Sequence, residues 1–245
     1  MNQQTTRTAI VTGAGKRVGR AIAEGLLADG WAVVAHVHHA GDEVPDGAVA
    51  VVADLAEAGA ADAIIGAAKG LPPLELLVNN AARFAEDRLD TIDAASFDSH
   101  MAVNVRAPTL LTQIFAEVID NGGGLVVNLL DAKLAAPNPD YLSYTLSKIA
   151  LEGLTELAAR ALAGQGIRVN AIAPALMLPS DGQDADNFAA MHGFNPLRRG
   201  VEPGDVVAAI RYLVDATAVT GQIITIDGGQ RFWALPRDVQ FLEKK

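Results

Sequence analysis

The sequence predicts a doubly wound, Rossmann-type α/β fold. Residues 1–245 form one domain, with a parallel sheet of about seven strands and helices on both faces. Three observations carry that prediction. Short β-branched runs alternate with longer helical patterns along the whole chain. The runs are continuously apolar rather than alternating, as strands buried on both faces require. Distinctive residues then recur at or just after the ends of those runs: Gly13, His36, Asp54, Asn79, Asp131 and Pro174. Ligands of open parallel sheets sit beyond the carboxyl ends of the strands, so these positions outline one site.

Thr8–Thr12 reads as the first strand, followed by a helix from Arg17 to Ala28. Ala32–Val37 and Val49–Ala53 are the second and third strands, Glu57–Lys69 is an alanine-rich helix, and Leu74–Asn79 is the fourth strand. One long helical stretch covers Ser96 to Ile119, before a fifth strand at Leu125–Leu130. The helix over Ser143–Ala163 is expected to stop at Gly164, since glycine relieves the left-handed turn that ends many helices. Arg168–Ala173, a helix over Asp205–Val214 and a strand at Gln222–Asp227 complete the order, joined by right-handed crossovers. Residues 176–199 mix apolar Leu176, Met177 and Leu178 with a helix-like Asp186–His192, in the position of a substrate lid.

Half of the 245 residues are hydrophobic, and no linker separates the halves. Nineteen basic against 29 acidic residues leave a net charge of −10, which disfavours general binding to nucleic acid or anionic membrane. The absence of cysteine excludes disulfides, thiolate nucleophiles and Cys-based metal sites. Met1 to Arg7 is short and polar, without the apolar core of a signal peptide, and no segment is apolar enough to span a bilayer. The expectation is a cytoplasmic protein with a small-molecule substrate.

The first strand runs into Thr12-Gly13-Ala14-Gly15-Lys16-Arg17-Val18-Gly19 and then a helix. Glycines allow a tight turn and close approach of backbone to a pyrophosphate at a helix N-terminus. The second strand ends Ala35-His36-Val37-His38-His39, without the carboxylate that would accept a bond from a free ribose 2′-hydroxyl. Lys16 and Arg17 add positive charge for a 2′-phosphate, so NADP(H) is favoured over NAD(H). A His-x-His metal site is disfavoured because no acidic or cysteine partner lies close in sequence.

Tyr144 and Lys148 sit one helical turn apart, on one face. A free phenol ionises near pH ~10, and a neighbouring ammonium is expected to lower that value. The pair therefore reads as an acid/base device, with Asp131 just upstream.

These residues resemble the short-chain dehydrogenase/reductase family, and the likeness runs from Thr8 to about Gly229. Its marks are the Thr-Gly turn, Asp54-Leu55, Asn79-Asn80-Ala81, Asn104, Tyr144-x-x-x-Lys148, Pro174 and Asp227-Gly228-Gly229. The resemblance implies that Tyr144 is the proton donor and that Lys148 holds the nicotinamide ribose and depresses the tyrosine pKa. It also implies that Asn104 supports a water chain to the lysine, Asp54 contacts adenine, Asn80 and Ala81 border the adenosine ribose, and Pro174 borders the cofactor. A homo-oligomer, tetramer or dimer, through the two long helices follows from the same resemblance.

Two departures narrow the resemblance. Arg17 stands where most members have glycine, and Asp131 where most have the serine that holds a substrate carbonyl. Both look like the pteridine reductase and dihydromonapterin reductase branch, as do His36, His38 and Asn80-Ala81-Ala82-Arg83-Phe84. In that branch an aromatic at the position of Phe84 stacks on the pterin, and Leu176 and Met177 would line the substrate. His39 and Ala82 differ from the arginine and serine usual there. The Asp131 substitution makes chemical sense. An ionised carboxylate repels the negative charge developing on a carbonyl oxygen, but accepts hydrogen bonds from the N–H groups of a pterin. Three readings therefore stand: a pterin reductase, a ketone or 3-oxoacyl reductase of the same fold, and a non-catalytic NADP(H) sensor. The Tyr144–Lys148 pair argues against the last, because a sensor needs no proton donor.

Overall fold

The computed structural model describes residues 7–119, 123–180 and 183–242; residues 1–6, part of the short polar stretch read above, lie outside the described residues. Seven parallel strands form one sheet in the order β3-β2-β1-β4-β5-β6-β7. They are β1 (Thr8–Val11), β2 (Ala32–Val37), β3 (Val49–Val52), β4 (Leu74–Asn79), β5 (Gly124–Leu129), β6 (Ile167–Pro174) and β7 (Ile223–Ile226). Chain order reverses between β1 and β4, which pair Ile10 with Leu77 and Val11 with Val78. That reversal opens the crevice in which such sheets bind ligands.

The apolar strands fill two layers because successive side chains point to opposite faces. Ala9, Val11, Val33, Leu76, Val78, Leu125 and Val127 pack with α1 (Arg17–Ala28) and α7 (Pro203–Asp215) on one face. Ile10, Val34, Leu77, Val126 and Val169 pack on the other with α2 (Ala60–Gly66), α4 (Ala107–Val118) and α5 (Leu142–Leu162). No helix of the described residues is long and apolar enough to cross a membrane.

Several expected elements are corrected. The helix expected over Glu57–Lys69 is only Ala60–Gly66. Asp54 spends a carboxylate oxygen on the Ala56 amide, so the chain turns before it can coil, and Gly70 at φ +86 turns it out again. The long helix expected over Ser96–Ile119 begins at Ala94 as α3 (Ala94–Met101), capped by Asp93 on the Ser96 amide. It then widens into a π segment, Ala102–Arg106, before α4. Pro108 lies in the first turn of α4 and has no N–H for the carbonyl of Asn104, four residues earlier. Gly166 at φ +73, rather than Gly164, takes the left-handed turn after α5. After α6 (Ala185–His192), α7 starts at Pro203, because Glu202 and Asp205 form a capping box.

Candidate active site

The glycine turn is shaped from beneath. Gly13 takes φ +66, and a Cβ there would meet the Ala81 Cα at 3.0 Å, so only glycine fits. The Asn80 amide group donates to the Thr12 carbonyl at 2.8 Å, and the Ala81 amide to the Thr12 hydroxyl at 3.0 Å. Asn80 and Ala81 thus brace β4 against the turn. His36 is buried at the end of β2; its Nδ1 accepts from the Gly13 amide at 3.1 Å while Nε2 lies 3.0 Å from the Ala53 carbonyl. Only the neutral Nε2–H tautomer makes both bonds, and burial holds its pKa below the usual histidine value. Both ring nitrogens are therefore engaged inside the protein.

Helix α1 begins at Arg17 after Lys16 as its N-cap residue, without a side-chain cap and without an acidic residue in its first turn. Its first amides face the crevice beside a cavity of about 690 Å³ bordered by Val18, Gly19, His38, His39 and Leu55 among others. Uncapped amides at a helix N-terminus and a turn closed to any Cβ, beside an open crevice, suit a dinucleotide diphosphate. His38 stacks on His39 at 4.0 Å and lies 3.7 Å from Asp54 Oδ2, so a carboxylate stands beside the end of β2. Among the described residues no group of histidine and carboxylate side chains is arranged to hold a metal ion. Arg17 departs from the expectation of a cation turned to the 2′-phosphate. Its guanidinium donates instead to the carbonyls of Pro179 at 2.7 Å and Leu178 at 3.3 Å, tying the turn to the segment after β6.

A second cavity of about 450 Å³ meets the first along Lys16, Arg17, Val18, Asn80 and Phe84. Asp131, Tyr144, Lys148, Pro174, Leu176 and Met177 border it. Asp131 follows β5 in extended backbone; its Oδ1 accepts from the Lys133 amide at 2.8 Å and its Oδ2 from the Tyr144 hydroxyl at 3.0 Å. The carboxylate is at once a local cap and a partner of the phenol. Lys148 donates to the Leu129 carbonyl at 2.6 Å, and its ammonium lies 5.6 Å from the centre of the Tyr144 ring.

The expected depression of the Tyr144 pKa is overturned in this arrangement. Burial and the facing Asp131 carboxylate push the phenol well above its ordinary value. Lys148 is itself pushed down to about 8 by burial, so it offers a weakened counter-charge. Asn104 is buried at the π segment, with its amide oxygen on the Arg83 amide at 2.7 Å and its nitrogen 2.9 Å from both Arg83 O and Ser147 Oγ. Both of its side-chain N–H bonds are used inside the protein, so it has no side-chain donor left for a water.

Phe84 is 44% exposed, its ring edge-on to Tyr144 at 4.7 Å and stacked on Tyr141 at 4.2 Å. Sequence reasoning missed Lys133, Leu235, Arg237, Asp238 and Val239 on this cavity, and also Asp140 and Tyr141, which hold the returning tail beside it. Their polar spacing carries no motif, and only tertiary folding brings the tail back. Phe232 and Trp233 lie outside this cavity, with Trp233 against Phe194 at 4.7 Å.

A parallel sheet with a dinucleotide-type crevice and a Tyr-Lys pair at its mouth defines an oxidoreductase class. The family model described as "Enoyl-(Acyl carrier protein) reductase" matches residues 13–231. The chain belongs to the short-chain dehydrogenase/reductase family. It is similar to L-xylulose reductase of Bos taurus, 35% identical over 238 residues, covering 91% of this chain and 96% of that one. The 3-oxoacyl-[acyl-carrier-protein] reductase of Synechocystis is 29% identical, covering 94% and 98%. Among solved structures, FolM alternative dihydrofolate reductase 1 from Brucella suis in complex with NADP superposes with TM-score 0.87. That chain is 35% identical, with 95% of this chain and 97% of that one covered.

Proposed function

We propose that this chain is an NADP(H)-dependent reductase acting on the C=N bond of a dihydropterin to give the tetrahydropterin. The single observation carrying the reading is the Tyr144 hydroxyl donating to Asp131, at the position where the wider family has a serine. A carboxylate there suits a heterocycle rich in N–H donors and opposes an oxyanion. Phe84 supports it too, as a half-exposed ring edge-on to the phenol and free to wall a flat substrate.

The cofactor is NADP(H), which when bound supplies the hydride to the ring carbon. Tyr144 gives its hydroxyl proton to the adjacent ring nitrogen. Asp131 orients the phenol and accepts from a substrate N–H. Lys148, held on the Leu129 carbonyl, presents its remaining N–H bonds to the cofactor ribose. Lys16 and the first amides of α1 face the diphosphate, and His38 and His39 the 2′-phosphate. Leu176 and Met177 belong to a substrate lid over residues 176–199, which Arg17 ties to the glycine turn. Exposed Leu146, Ile149 and Leu157 on α5 support a homo-oligomer.

A second reading, reduction of a ketone, is favoured by the relatives named for L-xylulose and 3-oxoacyl substrates. NADPH absorbance followed with dihydropterins and a ketone panel separates the two, using wild type and Asp131→Ser. Pterin turnover lost on that substitution supports the first; ketone turnover that survives it supports the second. NADPH binding without oxidation defeats both.

A further inference from the structure

The last turns of the chain close one side of the cavity. Leu235, Arg237, Asp238 and Val239 border the same space as Tyr144 and Asp131. The Arg237 guanidinium and the Asp238 amide both donate to Asp140 Oδ2, at 2.7 and 2.9 Å, and Asp140 is only 1% exposed. The Tyr141 hydroxyl donates to Gln240 at 2.6 Å, its ring lies between Phe84 and Phe241, and the Asn187 amide group reaches the Leu242 carbonyl. Tyr141 holds φ +55, a left-handed backbone that a bulky residue keeps only where its surroundings impose it.

Inside this strap Asp238 and Lys133 face each other across the cavity wall. Asp238 Oδ1 accepts from the Gln240 amide at 3.1 Å, while Oδ2 stands 3.7 Å from the Lys133 ammonium. That gap exceeds a direct hydrogen bond. The Lys133 amide is also the one bound to Asp131, so the pair is tied by backbone to the carboxylate beside the phenol. Resting on the reductase reading for where the reacting ring lies, we propose that the C-terminal strap builds the subsite for the substrate's side chain, where Asp238 and Lys133 select a polyhydroxylated chain. A carboxylate accepts, an ammonium donates, and each hydroxyl does both, so neighbouring hydroxyls bridge the pair without adding charge. An anionic chain meets Asp238 and Asp131 together. The Lys133 ammonium already donates to the Asp140 carbonyl, and an apolar chain offers no partner to its remaining N–H bonds or to Asp238 Oδ2.

The test uses the full chain with NADPH and two substrates, 6-trihydroxypropyl-7,8-dihydropterin and 6-methyl-7,8-dihydropterin. The variants are Asp238→Asn, which keeps the Oδ1 bond to the Gln240 amide, and Asp238→Ala. The expected result is a fall of about tenfold or more in the kcat/KM ratio of hydroxylated over methyl substrate, carried by KM. An unchanged ratio, or equal loss on both substrates, overturns the proposal. If wild type reduces neither pterin, the pterin reading fails by itself, and the same variants are judged on a pentulose against 2-pentanone. Loss of preference for the pentulose then upholds the strap; an unchanged ratio or no turnover overturns it.

Discussion

The Tyr144 hydroxyl donates to Asp131 Oδ2 at 3.0 Å, while the nearest ammonium, Lys148, is bonded to the Leu129 carbonyl instead. The phenol therefore faces a negative group, and burial with that charge holds its proton tightly. Asp131→Asn removes the charge and keeps the size. Its expected effects are a loss of ~10²–10³-fold in kcat on a dihydropterin and a fall in the tyrosine pKa, moving the alkaline limb of the rate profile to lower pH. Rates measured from pH 6 to as far above pH 10 as the fold survives check both. An alkaline limb unmoved by the substitution contradicts the pairing.

Lys148 exposes a conflict between stability and site chemistry. Burial brings its pKa down to about 8, so between that value and its unfolded value of ~10.4 the unfolded chain binds a proton that the folded chain does not. Stability therefore rises with pH through that window, and the penalty for a buried ammonium is fully present below it. Lys148→Met is expected to be about 1–2 kcal/mol more stable than wild type near pH 7, after losing the bond to Leu129. That advantage shrinks as pH climbs from 8 towards 10, while turnover is abolished. Thermal melts across pH 6.5–10 measure it, and an advantage that grows with pH has the wrong sign.

His36 is expected to stay neutral well into acid. Its bonds to the Gly13 amide and the Ala53 carbonyl require the Nε2–H tautomer, burial lowers its pKa first, and His38 lowers it further against the opposing pull of Asp54. Because the folded pKa lies below the unfolded value, this histidine's contribution to stability is full above ~6.5 and is lost as pH falls below it. Nitrogen-15 spectra of labelled histidine give tautomer and midpoint together. An Nδ1–H tautomer, or a midpoint at or above that of a free imidazole, removes His36 as the brace of the turn.

The sheet was legible because buried parallel strands are continuous apolar runs, and all seven lie where the β-branched segments are. Its helix ends were less so. Gly59, Gly70 and Gly166 punctuate the chain according to local geometry, and propensity alone does not separate Gly164 from Gly166. Asp131, Tyr144 and Lys148 were found from spacing and strand ends, and the fold brings them together. Spacing says nothing of charge balance, however: the lysine was expected to acidify the phenol, and desolvation reverses the sign. The carbonyl clamp of Arg17, and the tail's bonds to Asp140 and Tyr141, span 161 residues or more and 97 residues or more of sequence, respectively. No local pattern encodes either.

Pro108 offers a test of the π segment itself. The Asn104 side-chain donors are spent on Arg83 and Ser147, and its backbone carbonyl is an acceptor that the π segment leaves for proton supply. A regular helix would cover that carbonyl with the amide of residue 108, and proline has none. Pro108→Ala supplies the missing donor and favours regular α-helix through Asn104. Folding stability is expected to change by less than ~1 kcal/mol, since proline in a first helical turn costs little and alanine is the best helix former. NADPH affinity, set at the glycine turn, is expected to hold within about twofold. The rate should fall roughly tenfold, with a larger solvent isotope effect as proton delivery becomes limiting. Equal rates in wild type and Pro108→Ala would show that the widened turn serves packing alone.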